Sequence, residues 1–198
     1  MRWNLVWFAA VFLATATLAV VAEDQPAAHS TIGHAPAGIK LEMIAGITEA
    51  DFLKLGDKPM TAKITLVAVF TEKNNGMNFN GYSHGKATYT IPKGWTVEVT
   101  FINPSPVPHS AVVVERDMVK KVQVGPPAFD GAAVPNYIQG LSSTRARFSF
   151  VAGETGDYAI TCGFPTHALS GHWIAFNVRD DLKIPTLKLG EGEAREAK

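Results

Sequence analysis

In Thr96-Val-Glu-Val-Thr-Phe101 every second residue is apolar, and short extended stretches of this kind restrict the fold more than any other feature of the chain. A period of two places apolar side chains on one face of a strand and polar ones on the other. Ile64–Phe70, Lys86–Ile91, Thr96–Ile102, Ser110–Glu115, Arg145–Val151, Asp157–Cys162 and His172–Val178 all read as strands. Gly and Pro punctuate the gaps, as in Pro92-Lys-Gly94. The one helical signal is Thr48-Glu-Ala-Asp51, with Thr48 as N-cap, an acidic first turn and a stop at Gly56. A helix that short must pack on something to persist. Short strands without a long helix predict an all-β sandwich or barrel. From Val122 to Ser143, Pro126, Pro127, Gly131, Pro135 and Gly140 break any strand, so this stretch reads as a long loop over one edge or end.

The chemistry concentrates in Thr161-Cys162-Gly-Phe-Pro-Thr-His167-Ala-Leu-Ser-Gly-His172-Trp173. A thiol and two imidazoles stand at positions i, i+5 and i+10. Cys162 shares strand parity with Tyr158 and Ile160, so it points inward at the end of its strand. His172 shares parity with Ile174, Phe176 and Val178 and points inward at the start of the next. His167 rides on the loop between them. Upstream, Pro104-Ser-Pro-Val-Pro108 stiffens the approach to His109, because each proline fixes φ. One thiolate with imidazoles suits an electron-transfer copper site. Zinc is the rival for Cys162, His167, His172 and His109, although zinc-finger spacing sets ligands two to four residues apart. A cysteine–histidine nucleophile lacks a helix N-terminus or oxyanion hole near Cys162, so the chain does not read as an enzyme.

These residues resemble the cupredoxins, and within them the sulfocyanin group. Gly76-Met-Asn-Phe-Asn-Gly81 followed by Tyr82-Ser-His-Gly85 is similar to the Asn-Phe-Asn-Gly signature of sulfocyanins. Val107-Pro-His109 resembles the loop carrying the upstream copper histidine. Cys162-Gly-x-x-x-His167-Ala-x-Ser-Gly-x-Trp173 resembles the closing ligand loop. The resemblance spans roughly Ile64 to Val178 and implies a cupredoxin-like Greek-key β-sandwich of about seven or eight strands. It implies one copper ion, cycling between Cu(I) and Cu(II), with His109, Cys162 and His167 as equatorial ligands.

Two departures stand out. Sulfocyanins usually carry methionine where this chain has His172, and no methionine follows Met118. A histidine there is a stronger axial donor, which favours Cu(II) and lowers the potential. The residue after the upstream histidine is commonly asparagine; here it is Ser110. Asn78 and Asn80 read as loop-bracing hydrogen bonders, His84 as a surface or structural group, Met77 as packing, and Trp173 and Tyr158 as core aromatics. The functional expectation is single-electron transfer between transient redox protein partners, docked on an apolar patch of Phe164, Pro165, Ala168 and Leu169. The alternatives are copper delivery, storage or small-molecule sensing at a low-potential or open site, and a catalytic copper protein.

Residues 1–22 read as a targeting segment: Arg2, an apolar stretch from Leu5 to Ala22, and Val20-Val21-Ala22 before Glu23. The apolar stretch approaches the roughly 17–25 residues needed to span a bilayer, so a cleaved signal peptide and an N-terminal membrane anchor both stand. Either places the chain outside the cytoplasm, in the periplasm or on the outer face of the cytoplasmic membrane. Residues 23–38 read as a flexible linker containing His29 and His34, 39–180 as the copper domain, and 181–198 as a charged tail. The 18 Lys and Arg balance 18 Asp and Glu, so no basic stripe is offered to nucleic acid. Cys162 is the only cysteine, which rules out an internal disulfide.

Overall fold

The computed structural model describes residues 38–198. Ten strands occur in it: β1 (Leu53–Leu55), β2 (Thr61–Val67), β3 (Ala87–Pro92), β4 (Thr96–Asn103), β5 (Val112–Glu115), β6 (Thr144–Val151), β7 (Gly156–Thr161), β8 (Trp173–Arg179), β9 (Thr186–Leu189) and β10 (Arg195–Glu196). They form a four-stranded sheet in the order β1-β2-β4-β6 and a six-stranded sheet in the order β10-β9-β3-β8-β7-β5. Both sheets are mixed: β2 with β4 and β3 with β8 are parallel, and the other pairs are antiparallel. Parallel partners cannot be joined by a tight turn, so the chain alternates between sheets, as in a Greek-key cupredoxin sandwich.

The alternation read from the sequence sets the core. Ile64 and Leu66 of β2, Val97, Val99 and Phe101 of β4, and Phe148 and Phe150 of β6 face the interior from one sheet. Tyr89 and Ile91 of β3, Tyr158 and Ile160 of β7, and Ile174, Phe176 and Val178 of β8 meet them from the other. Each fully buried side chain of this size contributes about 1.5–3 kcal/mol. Cys162 belongs to this same cluster, so the thiol closes one end of the core.

The loop from 116 to 143 does more than cover an end. It runs beside β5, the outermost strand of its sheet. Val113 N–H donates to Ala132 O at 2.9 Å, Ala128 N–H to Val113 O at 2.8 Å and Val134 N–H to Ala111 O at 2.9 Å. An exposed edge would be open to pairing with another chain; here backbone bonds occupy it. Beneath the loop, Val112, Val114, Val119, Val124, Ala159 and Ala168 form a second, smaller apolar cluster.

Three expectations change. The helix expected from Thr48 to Gly56 is a single 3-10 turn, Glu49–Asp51, followed at once by β1. Asp51 Oδ2 accepts from the Thr48 N–H at 2.8 Å and from its hydroxyl at 3.0 Å, so the N-cap signal was real. Pairing with β2 then captures Leu53–Leu55 as strand. The stretch 181–198, expected as a charged tail, instead returns to the sandwich as β9 and β10. Leu187 is fully buried, Ala197 is buried, and the Lys198 carbonyl accepts from the Leu55 N–H at 3.0 Å. These additions raise the strand number above the expected seven or eight. The targeting segment, and His29 and His34 of the linker, lie outside the described residues. Among the described residues no helix is long and apolar enough to cross a membrane.

Candidate metal centre

His109 is fixed by its backbone on both sides. Its N–H donates to Leu141 O at 3.1 Å, and Leu141 N–H returns a bond to His109 O at 2.8 Å. This isolated bridge ties the proline-rich approach loop to the covering loop. Gly140, at φ +75°, makes the bridge sterically feasible: a Cβ there would lie 2.9 Å from Pro108 Cβ and 3.2 Å from His109 N. Asn103 Nδ2 adds bonds to Val107 O at 2.8 Å and Leu141 O at 2.6 Å.

The loop from Cys162 to His172 closes on itself. Cys162 N–H donates to His172 O at 3.0 Å, and His172 N–H donates to His167 O at 3.0 Å. Thr166 takes a left-handed φ of +70° just before His167, and its N–H is held by Val122 O at 2.7 Å. Such a conformation is costly for a β-branched residue and persists only where its surroundings hold it. At Gly171, φ +87°, the exposed His84 ring sits where a Cβ would be, 2.1 Å from its nearest atom. His84 N–H donates to Gly171 O at 2.8 Å, which supports the structural role expected for it.

The structure brings His109, Cys162, His167 and His172 together. One ligand atom from each lies within 4.8 Å of all the others. Cys162 and His172 are fully buried; His109 and His167 are 4% and 8% exposed. Cys162 Sγ lies 3.4 Å from His167 Nδ1 and accepts from the Ser110 N–H at 3.3 Å. The Ser110 hydroxyl, 3.7 Å from Sγ, donates to Tyr137 O at 2.6 Å and accepts from Gly163 N–H at 2.8 Å. Ser110 therefore braces the thiol from its backbone and the surrounding loops from its side chain.

Burial pushes the Cys162 thiol up from its ordinary range, while backbone N–H groups of Phe164 and Ser110 and the Ser110 hydroxyl pull it back in part. Burial, then the nearby His167, holds His109 down at about 3. Burial also lowers His167. His172 is pushed well below the usual histidine range by burial and then by His109 and His167. The Asn78 backbone opposes that shift, yet neither ring nitrogen of His172 meets a partner in hydrogen-bonding geometry. All three imidazoles are thus neutral near pH 7, with lone pairs to give.

The donor set fits a copper ion. His109 Nδ1 and both ring nitrogens of His172 are buried without any hydrogen-bond partner. Unpaired buried polar atoms are costly and are retained where they serve a ligand. A cation at this point would accept those lone pairs and draw the thiol toward thiolate. No Asp or Glu joins the cluster, which leaves the soft sulfur and imidazole set that suits copper over magnesium or calcium.

The signature loop 78–81 lies beside the centre, and its asparagines brace it, as expected. Asn80 Oδ1 accepts from Val67 N–H at 2.7 Å, and its amide donates to Thr65 O at 2.9 Å. Asn78 donates to Thr71 O and Lys73 O, both at 2.8 Å, and accepts from Gly81 N–H at 3.1 Å. Between them the fully buried Phe79 packs on His172, with ring centroids 4.3 Å apart. Sequence reasoning gave Phe79 no role of its own; its signal was its place between two asparagines. Tyr137 was also missed, although its carbonyl anchors Ser110. Of the expected docking patch, Leu169 is exposed and Phe164 and Pro165 are half-buried, whereas Ala168 is buried under the covering loop.

Residues 48–187 match the family model described as the sulfocyanin (SoxE) domain. A curated sulfocyanin of Sulfolobus acidocaldarius is 31% identical over 133 residues, covering 63% of this chain and 67% of that protein. Among solved structures, reduced auracyanin from Roseiflexus castenholzii is 22% identical, with a TM-score of 0.43 over 59% of this chain and 96% of its own. Rusticyanin from Thiobacillus ferrooxidans is 18% identical, with a TM-score of 0.41 over 66% of this chain and 89% of its own.

Proposed function

Because this chain belongs to the sulfocyanin family of copper-binding cupredoxins, we propose that it carries single electrons between redox proteins outside the cytoplasm, with copper held by His109, Cys162, His167 and His172. The observation that carries this reading is the convergence of four buried donors within 4.8 Å. Copper supplies a one-electron Cu(II)/Cu(I) couple when bound.

The protein's own residues supply the rest. The Ser110 and Phe164 amides stabilise negative charge on the Cys162 sulfur. The His109–Leu141 bridge and the closed 162–172 loop hold the donors in place, and stiffness of this kind lowers the rearrangement between oxidation states. His172 offers an imidazole where the family usually offers a thioether. It favours the oxidised ion and sets a lower potential than methionine would. Its membership of the buried cluster supports a four-donor site over one left open to small molecules.

His167 has the largest exposure of the four donors. Phe164 packs on it at 4.8 Å between centroids, and the exposed Leu169 and Val107 lie on the loops carrying His167 and His109. Apolar groups around the most accessible donor suit brief, small encounters with redox partners. The N-terminal segment supports export, with either a released or a membrane-tethered domain.

The deciding experiment is the optical and EPR spectrum of the protein loaded with Cu(II). We expect an intense visible thiolate-to-copper band that vanishes in Cys162→Ser and moves toward a blue site, with a higher potential, in His172→Met. A colourless protein that binds copper without that band would overturn the electron-carrier reading.

A further inference from the structure

Phe79 has the geometry of a residue that acts through another. A metal-binding histidine is usually held in orientation by a hydrogen bond from its second ring nitrogen to a carbonyl, carboxylate or water. His172 has no such bond: both ring nitrogens are buried and unpartnered among the described residues. Its orientation must come from packing.

Three rings surround it. Phe79 lies at 4.3 Å between centroids, His109 at 4.9 Å and His167 at 6.0 Å. Phe79 is both the nearest and the one that is not itself a candidate donor. It is also fully buried, with its backbone tied. Its N–H donates to Tyr82 O at 2.9 Å and its carbonyl accepts from Tyr82 N–H at 2.8 Å. On either side, Asn78 and Asn80 fasten the backbone to Thr71, Lys73, Thr65 and Val67 through their side chains. An aromatic face on a tied backbone is therefore set against an imidazole whose ring nitrogens no hydrogen bond holds.

We propose that Phe79 is the positioning residue for His172, fixing by ring packing the orientation that a hydrogen bond would otherwise fix, and so setting how strongly this fourth donor meets copper. This rests on the reading of His172 as a copper ligand. Each residue of the Asn-Phe-Asn-Gly loop then has a distinct role, since the asparagines hold the loop and the phenylalanine between them holds the ring. Removing the aromatic face takes away the closest ring packed on His172, whose ring nitrogens have no hydrogen-bond partner to resist turning about the Cβ–Cγ bond.

The test compares wild type, Phe79→Leu, His172→Ala and the double variant, each loaded with Cu(II), by optical and EPR spectra, by copper affinity, and by thermal unfolding without metal. In Phe79→Leu the thiolate bands and EPR parameters should shift in the direction seen for His172→Ala, by less, and copper affinity should fall by roughly 10-fold or more. In the His172→Ala background, Phe79→Leu should cause no further spectral shift. Unfolding temperature reports the packing loss separately, since a purely structural Phe79 would lower it and leave the spectrum unmoved. An unchanged spectrum in Phe79→Leu, or equal spectral shifts with and without His172, overturns the proposal. If the leucine variant does not fold, Phe79→Met carries the same comparison. A wild-type spectrum that His172→Ala leaves unchanged strikes at the ligand reading instead, so the two failures are distinguishable.

Discussion

The Ser110 amide donates to Cys162 Sγ at 3.3 Å, while the hydroxyl of the same residue joins the Tyr137 carbonyl to the Gly163 amide. The two roles are separable, because Ser110→Ala keeps the amide and removes only the hydroxyl. A carbonyl and an N–H in a buried setting then lose their partner, which costs about 1–3 kcal/mol each when nothing replaces it. Ser110→Ala is expected to lower the stability of the metal-free protein by that order, measured by denaturant unfolding, while the thiolate-to-copper band survives. Loss of the band itself would mean that the hydroxyl, not the amide, sustains the sulfur.

The histidines give the metal-free protein a specific pH response. His109 is held down at about 3, and His167 and His172 are lowered too, so the folded state keeps them neutral where the unfolded chain would protonate them near 6.5. Below that pH the unfolded state binds more protons than the native state, and stability falls as pH falls. The slope approaches about 1.4 kcal/mol per pH unit for each histidine that stays neutral, and for His109 it persists down toward pH 3. Unfolding of the apoprotein followed from pH 7 to pH 5 should show this loss. His109→Gln should flatten the curve over the same range.

How far the site was legible depends on which residues carried local signals. Cys162 and His172 were placed by strand parity, because Tyr158 and Ile160 of β7 and Ile174, Phe176 and Val178 of β8 face the main core, and the two residues continue that parity just beyond the strand ends. His109 was legible because prolines stiffen its approach. What could not be read was contact across the chain. The Leu141 bridge to His109 joins residues on different loops, and Phe79 meets His172 across a long sequence interval. No periodicity encodes such pairs. β9 and β10 were hidden for a related reason: β9 is only four residues, Thr186–Leu189, β10 is only Arg195–Glu196, and stretches so short become strands by pairing with β3 and with each other.

Gly171 separates the two reasons a glycine can be required. Its φ of +87° is strained for any L side chain, at about 1–2 kcal/mol, and a Cβ would also strike the His84 ring. His84 is exposed and its ring can swing aside. Gly171→Ala should therefore destabilise the 162–172 loop and weaken copper binding, and adding His84→Ala should recover only the steric part. Titration with copper and thermal unfolding of the single and double variants measure this. Complete recovery in the double variant would show that backbone conformation contributes nothing at this position.

Leu187 tests whether the last segment is part of the fold. It is fully buried, pairs in register with Tyr89 of β3, and sits in the same core as Ile91 and Phe176. Tyr89 in turn pairs with Phe176 of β8, the strand that begins one residue after His172. A floating tail would tolerate Leu187→Ala without effect, whereas a buried leucine cut to alanine costs about 2–5 kcal/mol, depending on how far the cavity collapses. We expect a loss in that range by denaturant unfolding. The Cu(II) spectrum should be retained, because β9 contributes none of the four clustered side chains and reaches β8 only through β3. Truncation after Asp181 should cost more than the point substitution, since it also removes the β9 ladder with β3 and the Lys198 carbonyl that accepts from Leu55. If instead the truncated protein unfolds at the same denaturant concentration as the full chain, the strand pairing of this segment contributes nothing to stability, and the copper domain ends where β8 does.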